Sequence, residues 1–170
     1  MSKVSTNRLA TAGLMAALVV VGTMLVQVPT PGKGYIHIGD SMVYLSGILL
    51  GPVLGALAAA CGSLLADLFS GYGIYAPATF IIKGLDAWIV GFLYLRFVRQ
   101  GDPLAKKVVS FVIAVIFGGT IMVTGYLAFE SMLYGFPVAI ASVLANITQA
   151  IGGGILAIPL LLALDRFIKR

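Results

Sequence analysis

No charged residue falls within Leu9–Val28, Ser41–Ala66, Val108–Phe129 or Ser131–Leu164, so most of the chain consists of uncharged stretches of twenty residues or more. A helix rises about 1.5 Å per residue and the hydrocarbon core of a bilayer is about 30 Å thick, so roughly 20 apolar residues make one crossing. The 170 residues are 60% hydrophobic and only 10% charged, with a mean hydropathy of +1.07. That leaves too little polar surface to cover a water-soluble domain of this size. The expected class is an all-α, polytopic membrane protein, with residues 1–170 forming a single transmembrane domain. A net charge of +5 would point a soluble protein toward nucleic acid; here the placement of the charges decides their meaning, and the expected surroundings are a lipid bilayer with no nucleic acid.

Six transmembrane helices are expected. The first covers about Arg8–Val28 and stops at Pro-Thr-Pro-Gly, where two prolines and a glycine cannot continue a helix. It reads as a retained helix, because no small-residue cleavage site followed by a soluble domain comes after it. The apolar block Gly39–Gly71 is too long for one span and breaks at Gly51-Pro52 into a short second helix and a third ending near Ser70. The fourth runs from about Ala78 to Val98, the fifth from Val108 to Leu133 and the sixth from Val138 to Phe167, with the polar loop 99–107 between the fourth and fifth.

Orientation follows from lysine and arginine. With six crossings, Lys3, Arg8, Arg96, Arg99, Lys106, Lys107, Arg166, Lys169 and Arg170 fall on one side and only Lys33 on the other. The expected placement is a bacterial cell membrane, multi-pass, with both termini cytoplasmic. The loops carrying Tyr35, His37, Tyr72, Tyr75 and Tyr134 then face outward. Small residues recur every fourth position at Gly47, Gly51, Gly55, Ala59 and Ser63, a spacing that lets helices approach closely in lipid. A shorter stripe, Ala12 and Ala16, lies on the first helix. The lone Cys61 reads as a small packing residue.

Lys83 and Asp86 interrupt an otherwise apolar helix. Each buried charge costs roughly 2.5–3.5 kcal/mol at the centre of a membrane helix, so something offsets them. Three residues apart, they share one helical face and can form a ledge. Asp67 near the outer end of the third helix, Glu130 near that of the fifth, and Asn146 and Gln149 two to three turns into the sixth come to a similar depth. Two readings stand side by side. Lys83, Asp67 and Asp86 form a buried ion-pair network that pins helices; or the polar groups line an outward-open pocket for a small polar solute, with the Lys83 pair as floor and Glu130, Asn146 and Gln149 as contacts. Tyr35 and Tyr75 belong either to an interfacial aromatic belt or, sitting in Gly-rich loops, to a cover that stacks on a planar solute. His37 either bonds within its loop or touches the ligand.

No phosphate loop, HExxH pair, GxSxG elbow or cysteine pair is present in the sequence. The expectation is a protein that is not an enzyme, with no catalytic residue, no metal ligand and no cofactor of its own. ATP would be used by partner subunits.

Within Tyr35–Tyr94, the segments Gly39-Asp40, Leu49–Pro52, Ala66–Leu68, Ser70–Tyr72, Tyr75–Pro77 and Phe80–Gly84 follow one another in order. The run resembles the substrate-binding S components of energy-coupling factor (ECF) vitamin transporters. It is most similar to the riboflavin-type group, which also includes subunits for pyridoxine-like and hydroxymethylpyrimidine-like compounds. The resemblance implies six helices, one vitamin bound near the outer face under the first extracellular loop, and assembly with a transmembrane coupling protein (T component) and two cytoplasmic ABC-type ATPases. It also implies that Ala12 and Ala16 match an alanine-x-x-x-alanine docking feature for the coupling protein, against which stands ordinary packing within the chain. The mixture of Asp67, Lys83, Asp86 and Glu130 suits a small neutral or zwitterionic ring such as hydroxymethylpyrimidine or a pyridoxine-like compound. The alternatives are a riboflavin-specific S component and a self-contained small-solute carrier.

Overall fold

The computed structural model describes residues 5–30 and 34–165; Lys3, Lys33, Arg166, Lys169 and Arg170 of the charge argument lie outside them. The order of elements is α1 (Thr6–Leu25), β1 (Gln27–Pro29), β2 (Tyr35–His37), α2 (Asp40–Leu50), α3 (Pro52–Phe69), α4 (Ala76–Phe97), α5 (Leu104–Tyr134) and α6 (Phe136–Leu164). Every helix but α2 is long and apolar enough to cross a membrane.

The breaks fall where backbone chemistry demands them. Gly51 has φ +85°, a left-handed conformation that costs glycine little, and Pro52 opens α3 at a position where its missing N–H is harmless. Gly135, also at φ +85°, turns α5 into α6. α1, α4 and α6 each start two residues earlier than expected, at Thr6, Ala76 and Phe136, and α5 starts four earlier, at Leu104.

The first helix is shorter than the apolar run that contains it. It ends at Leu25, and Gln27–Pro29 leaves helical geometry to pair antiparallel with Tyr35–His37, Val28 opposite Ile36. The Val-Gln-Val-Pro segment suits an extended edge, where the proline has no ladder bond to lose. A hairpin therefore stands where helix and loop were expected.

Helices approach at glycines. A Cβ on Gly47 would lie 2.0 Å from the Ala87 carbonyl oxygen, and one on Gly91 would lie 2.3 Å from that of Gly47, so α2 and α4 cross backbone to backbone. Gly55 meets Ser46 and Gly47 in the same way, joining α3 to that crossing. The expected stripe is thus used on two faces at once.

On α1 the small residues serve the chain itself. Ala12 is 7% exposed in the core with Met15 and Val19, and the Ala16 carbonyl oxygen lies 2.6 Å from where Gly62 of α3 would carry a Cβ. This face packs on α3, the ordinary packing within the chain that stands against docking for Ala12 and Ala16. The small residues that α1 leaves exposed are Ala10, Gly13 and Ala17. Cys61 is exposed, not packed.

The two ends of the bundle differ. Arg8 donates to the Leu50 carbonyl at 2.7 Å and Lys107 pairs with Asp165 at 2.6 Å, gathering the start of α1, the end of α2, the start of α5 and the end of α6. The hairpin, Ser70–Tyr75 and the α5–α6 turn form the opposite end.

Candidate solute-binding site

Beneath the hairpin lies a cavity of about 30 Å³ lined by Thr30, Gly34, Tyr35, His37, Asp67, Tyr75, Thr79, Tyr126, Glu130, Asn146 and Gln149. Seven of the nine residues expected at the site are there. They come from β2, the end of α3, the turn before α4, the last third of α5 and the first half of α6, so the site exists only once the bundle has assembled.

The floor is a chain of polar contacts. Lys83 on α4 donates to Asp40 Oδ1 at the start of α2, and Gln149 Nε2 on α6 donates to Asp40 Oδ2 at 3.0 Å. Gln149 Oε1 in turn accepts the His37 backbone N–H at 3.0 Å. One carboxylate thereby ties α2, α4, α6 and the hairpin together. Lys83 also sits 5.8 Å from the centre of the Tyr126 ring, which covers it from the cavity side.

This corrects the expected ledge. Lys83 is fully buried under the cavity and is spoken for by Asp40, a residue the sequence reading did not assign. Asp86 points elsewhere: its Oδ1 lies 2.3 Å from where Gly118 of α5 would carry a Cβ, and neither carboxyl oxygen has a hydrogen-bond partner among the described residues. Asp86 does not line the cavity.

The walls carry two further carboxyl groups. Asp67 Oδ1 accepts the Tyr35 hydroxyl at 2.6 Å, and Glu130 Oε1 accepts that of Tyr75 at 3.3 Å. Thr79 and Tyr126 share a hydrogen bond of 3.0 Å between them. Burial, and then the neighbouring Asp67, push the Tyr35 phenol up; burial and Glu130 do the same for Tyr75. Both phenols therefore remain donors.

The cover is aromatic. Tyr35 packs on Tyr72 at 4.4 Å between ring centroids and on His37 at 5.5 Å. Tyr75 touches Phe129 at 5.5 Å. His37 Nδ1 accepts the Gly39 N–H at 3.1 Å, which requires that nitrogen to be unprotonated. Burial lowers the imidazole pKa to about 4, with Asp40 opposing the shift and Lys83 adding to it. His37 makes the loop hydrogen bond expected as one alternative, and it also lines the cavity.

Thr30, Gly34, Thr79 and Tyr126 were missed by sequence reasoning. Two had a usable signal: Thr79 precedes Lys83 by four residues and Tyr126 precedes Glu130 by four, so each shares a helical face with a residue already singled out.

Residues 3–166 match the family described as "ECF-type riboflavin transporter, S component". The chain belongs to that family. An S component is part of a membrane transporter and not of an enzyme class. A Pyrococcus woesei protein described as "Uncharacterized protein in gap 3'region" is 38% identical over 136 residues, which is 79% of this chain and 86% of that protein. Among solved structures, the S component of a bacterial ECF transporter superposes with a TM-score of 0.69, covering 96% of this S component and 98% of the other chain. At 22% identity that likeness carries the fold.

Proposed function

We propose that this S component captures a small water-soluble vitamin or vitamin precursor, hydroxymethylpyrimidine or pyridoxine-like, in the cavity beneath the hairpin. The observation that carries the reading is the convergence of Asp67, Glu130, Asn146 and Gln149 from three helices on one buried cavity at a single end of the bundle. Polar glue between helices has no reason to gather at one end, whereas a solute site does.

The hairpin end faces outward in this reading, because the described arginines and lysines outside the bundle interior lie at the opposite end. In the same reading the protein sits in the cell membrane with both termini cytoplasmic. α2 has 11 residues, about 16 Å at 1.5 Å per residue, and together with the extended residues leading into it makes a sixth crossing. Residues 1–170 act as one transmembrane domain.

At about 30 Å³ the cavity admits no more than one or two water molecules. A ring enters when the Tyr35–Tyr72 contact opens and the hairpin and the Ser70–Tyr75 turn part. Release on the other side is the work of a transmembrane coupling protein and two ABC-type ATPases, which supply the ATP chemistry.

A second reading, riboflavin as the solute, is favoured by the description of the family. Mass spectrometry of small molecules released from the purified protein separates the two. A pyrimidine or pyridine supports the first, a flavin the second, and solute uptake into liposomes by this chain alone would make it a self-contained carrier instead.

A further inference from the structure

We infer that the cavity selects a ring bearing a positive charge or amidine-type N–H donors, and that Asp67 and Glu130 read that feature; the inference rests on the cavity being the solute site. Its basis is the charge inventory around the cavity. On the floor, Asp40 is matched by Lys83, so that layer is neutral. Above it, Asp67 and Glu130 are buried at 5% and 3% exposure, and each accepts a hydrogen bond from an uncharged tyrosine. Among the described residues, no lysine or arginine lines the cavity.

The two carboxyl groups flank the end of the hairpin. Asp67 bonds to Tyr35, while Glu130 Oε1 lies 3.5 Å from where the adjacent Gly34 would carry a Cβ. A solute below that point lies between them. Asn146, 8% exposed, lines the same cavity and its side-chain amide makes no hydrogen bond among the described residues, so an amide is also held ready for a ligand.

Buried carboxylates without a counter-charge are costly, and a cationic or N–H-rich solute supplies the charge that the described lining residues lack. A charge-assisted hydrogen bond is also stronger than one from a neutral hydroxyl. The rings of Tyr35, Tyr75 and Tyr126, which line the cavity, suit a cation in addition. A solute carrying its own carboxylate would meet like charge on both walls. With Lys83 counted as available, the sequence suited a neutral or zwitterionic ring; the Asp40 pairing commits that cation to the floor.

The test uses the purified full chain and one ring with three substituents at the same carbon: pyridoxamine (aminomethyl), pyridoxine (hydroxymethyl) and 4-pyridoxic acid (carboxylate). 4-Amino-5-hydroxymethyl-2-methylpyrimidine is compared with its 4-hydroxy analogue, and riboflavin serves as a neutral flavin. Within each set, calorimetry is expected to show the amine bound at least about tenfold tighter than the alcohol, a difference of roughly 1.4 kcal/mol, with the acid unbound. Asp67→Asn with Glu130→Gln should reduce that ratio to below about threefold while the alcohol still binds. Should the double variant not fold, Glu130→Gln alone must lower the ratio. Equal binding of alcohol and amine, tighter binding of the acid, an unchanged ratio in a folded variant, or binding of riboflavin alone overturns the inference and leaves the cavity intact as the solute site. If no probe binds, the solute-site reading fails and takes the inference with it.

Discussion

Lys83, two turns into α4, and Asp40, the first residue of α2, meet at 2.5 Å with both side chains fully excluded from the surface. Neither charge has water to fall back on. The net gain from such a pair is small, because desolvation offsets the attraction, but removing one partner strands the other. Lys83→Ala should therefore destabilise the protein by about 3–5 kcal/mol, seen as a marked fall in melting temperature in detergent. An unchanged melting temperature would show that the pair is not what holds α2 to α4.

Asp86 predicts the opposite outcome. Its carboxyl oxygens have no partner among the described residues and it lies outside the cavity. Asp86→Asn should leave solute affinity within about twofold, roughly 0.4 kcal/mol, and leave the melting temperature equal or higher. A large loss of binding would place Asp86 in the site after all.

Gly47 and Gly13 form a contrasting pair. A Cβ on Gly47 runs into the α4 backbone, which cannot move aside, whereas one on Gly13 meets nothing within 4 Å. Gly47→Ala should cost about 1–3 kcal/mol or more through overpacking. Gly13→Ala should be neutral or stabilising by up to about 1 kcal/mol through helix propensity. Ala12→Leu belongs with Gly47, because Ala12 is buried within the chain; its melting temperature should fall even without partner subunits.

His37 makes stability pH-dependent. Its folded pKa of about 4 lies below its ordinary value of 6.5, so the fold favours the neutral ring. That contribution is complete above about pH 6.5 and is lost as pH falls toward 4. The difference in melting temperature between wild type and His37→Gln, followed from pH 7.5 to 4.5, should shrink across that window. A constant difference would mean that His37 protonates freely in the folded protein.

Much of this arrangement is visible in the sequence because hydrocarbon makes polar residues conspicuous. Asp67, Glu130, Asn146 and Gln149 stand out in apolar helices, and all four line the cavity. Gly51-Pro52 marks its own break by backbone chemistry. The pairing of Lys83 was not legible, since helical spacing relates it to Asp86, while its actual partner is brought in by the Gly47–Gly91 crossing, a contact between segments far apart in sequence. The hairpin was hidden because Val26–Val28 continues the apolar run, and only pairing with residues six to ten positions later makes the segment extended. Ala12 and Ala16 illustrate a further limit. A small-residue stripe looks the same whether it meets a helix of its own chain or of another.

The most direct measurement is a structure of the protein purified with its native solute. Density for a small ring bounded by Tyr35, Glu130 and Asn146, above the Lys83–Asp40 pair, is the expected result. Density instead in the lipid-facing groove between α5 and α6, beside Gly119, Thr120 and Ile147, would contradict the assignment of the cavity as the binding site.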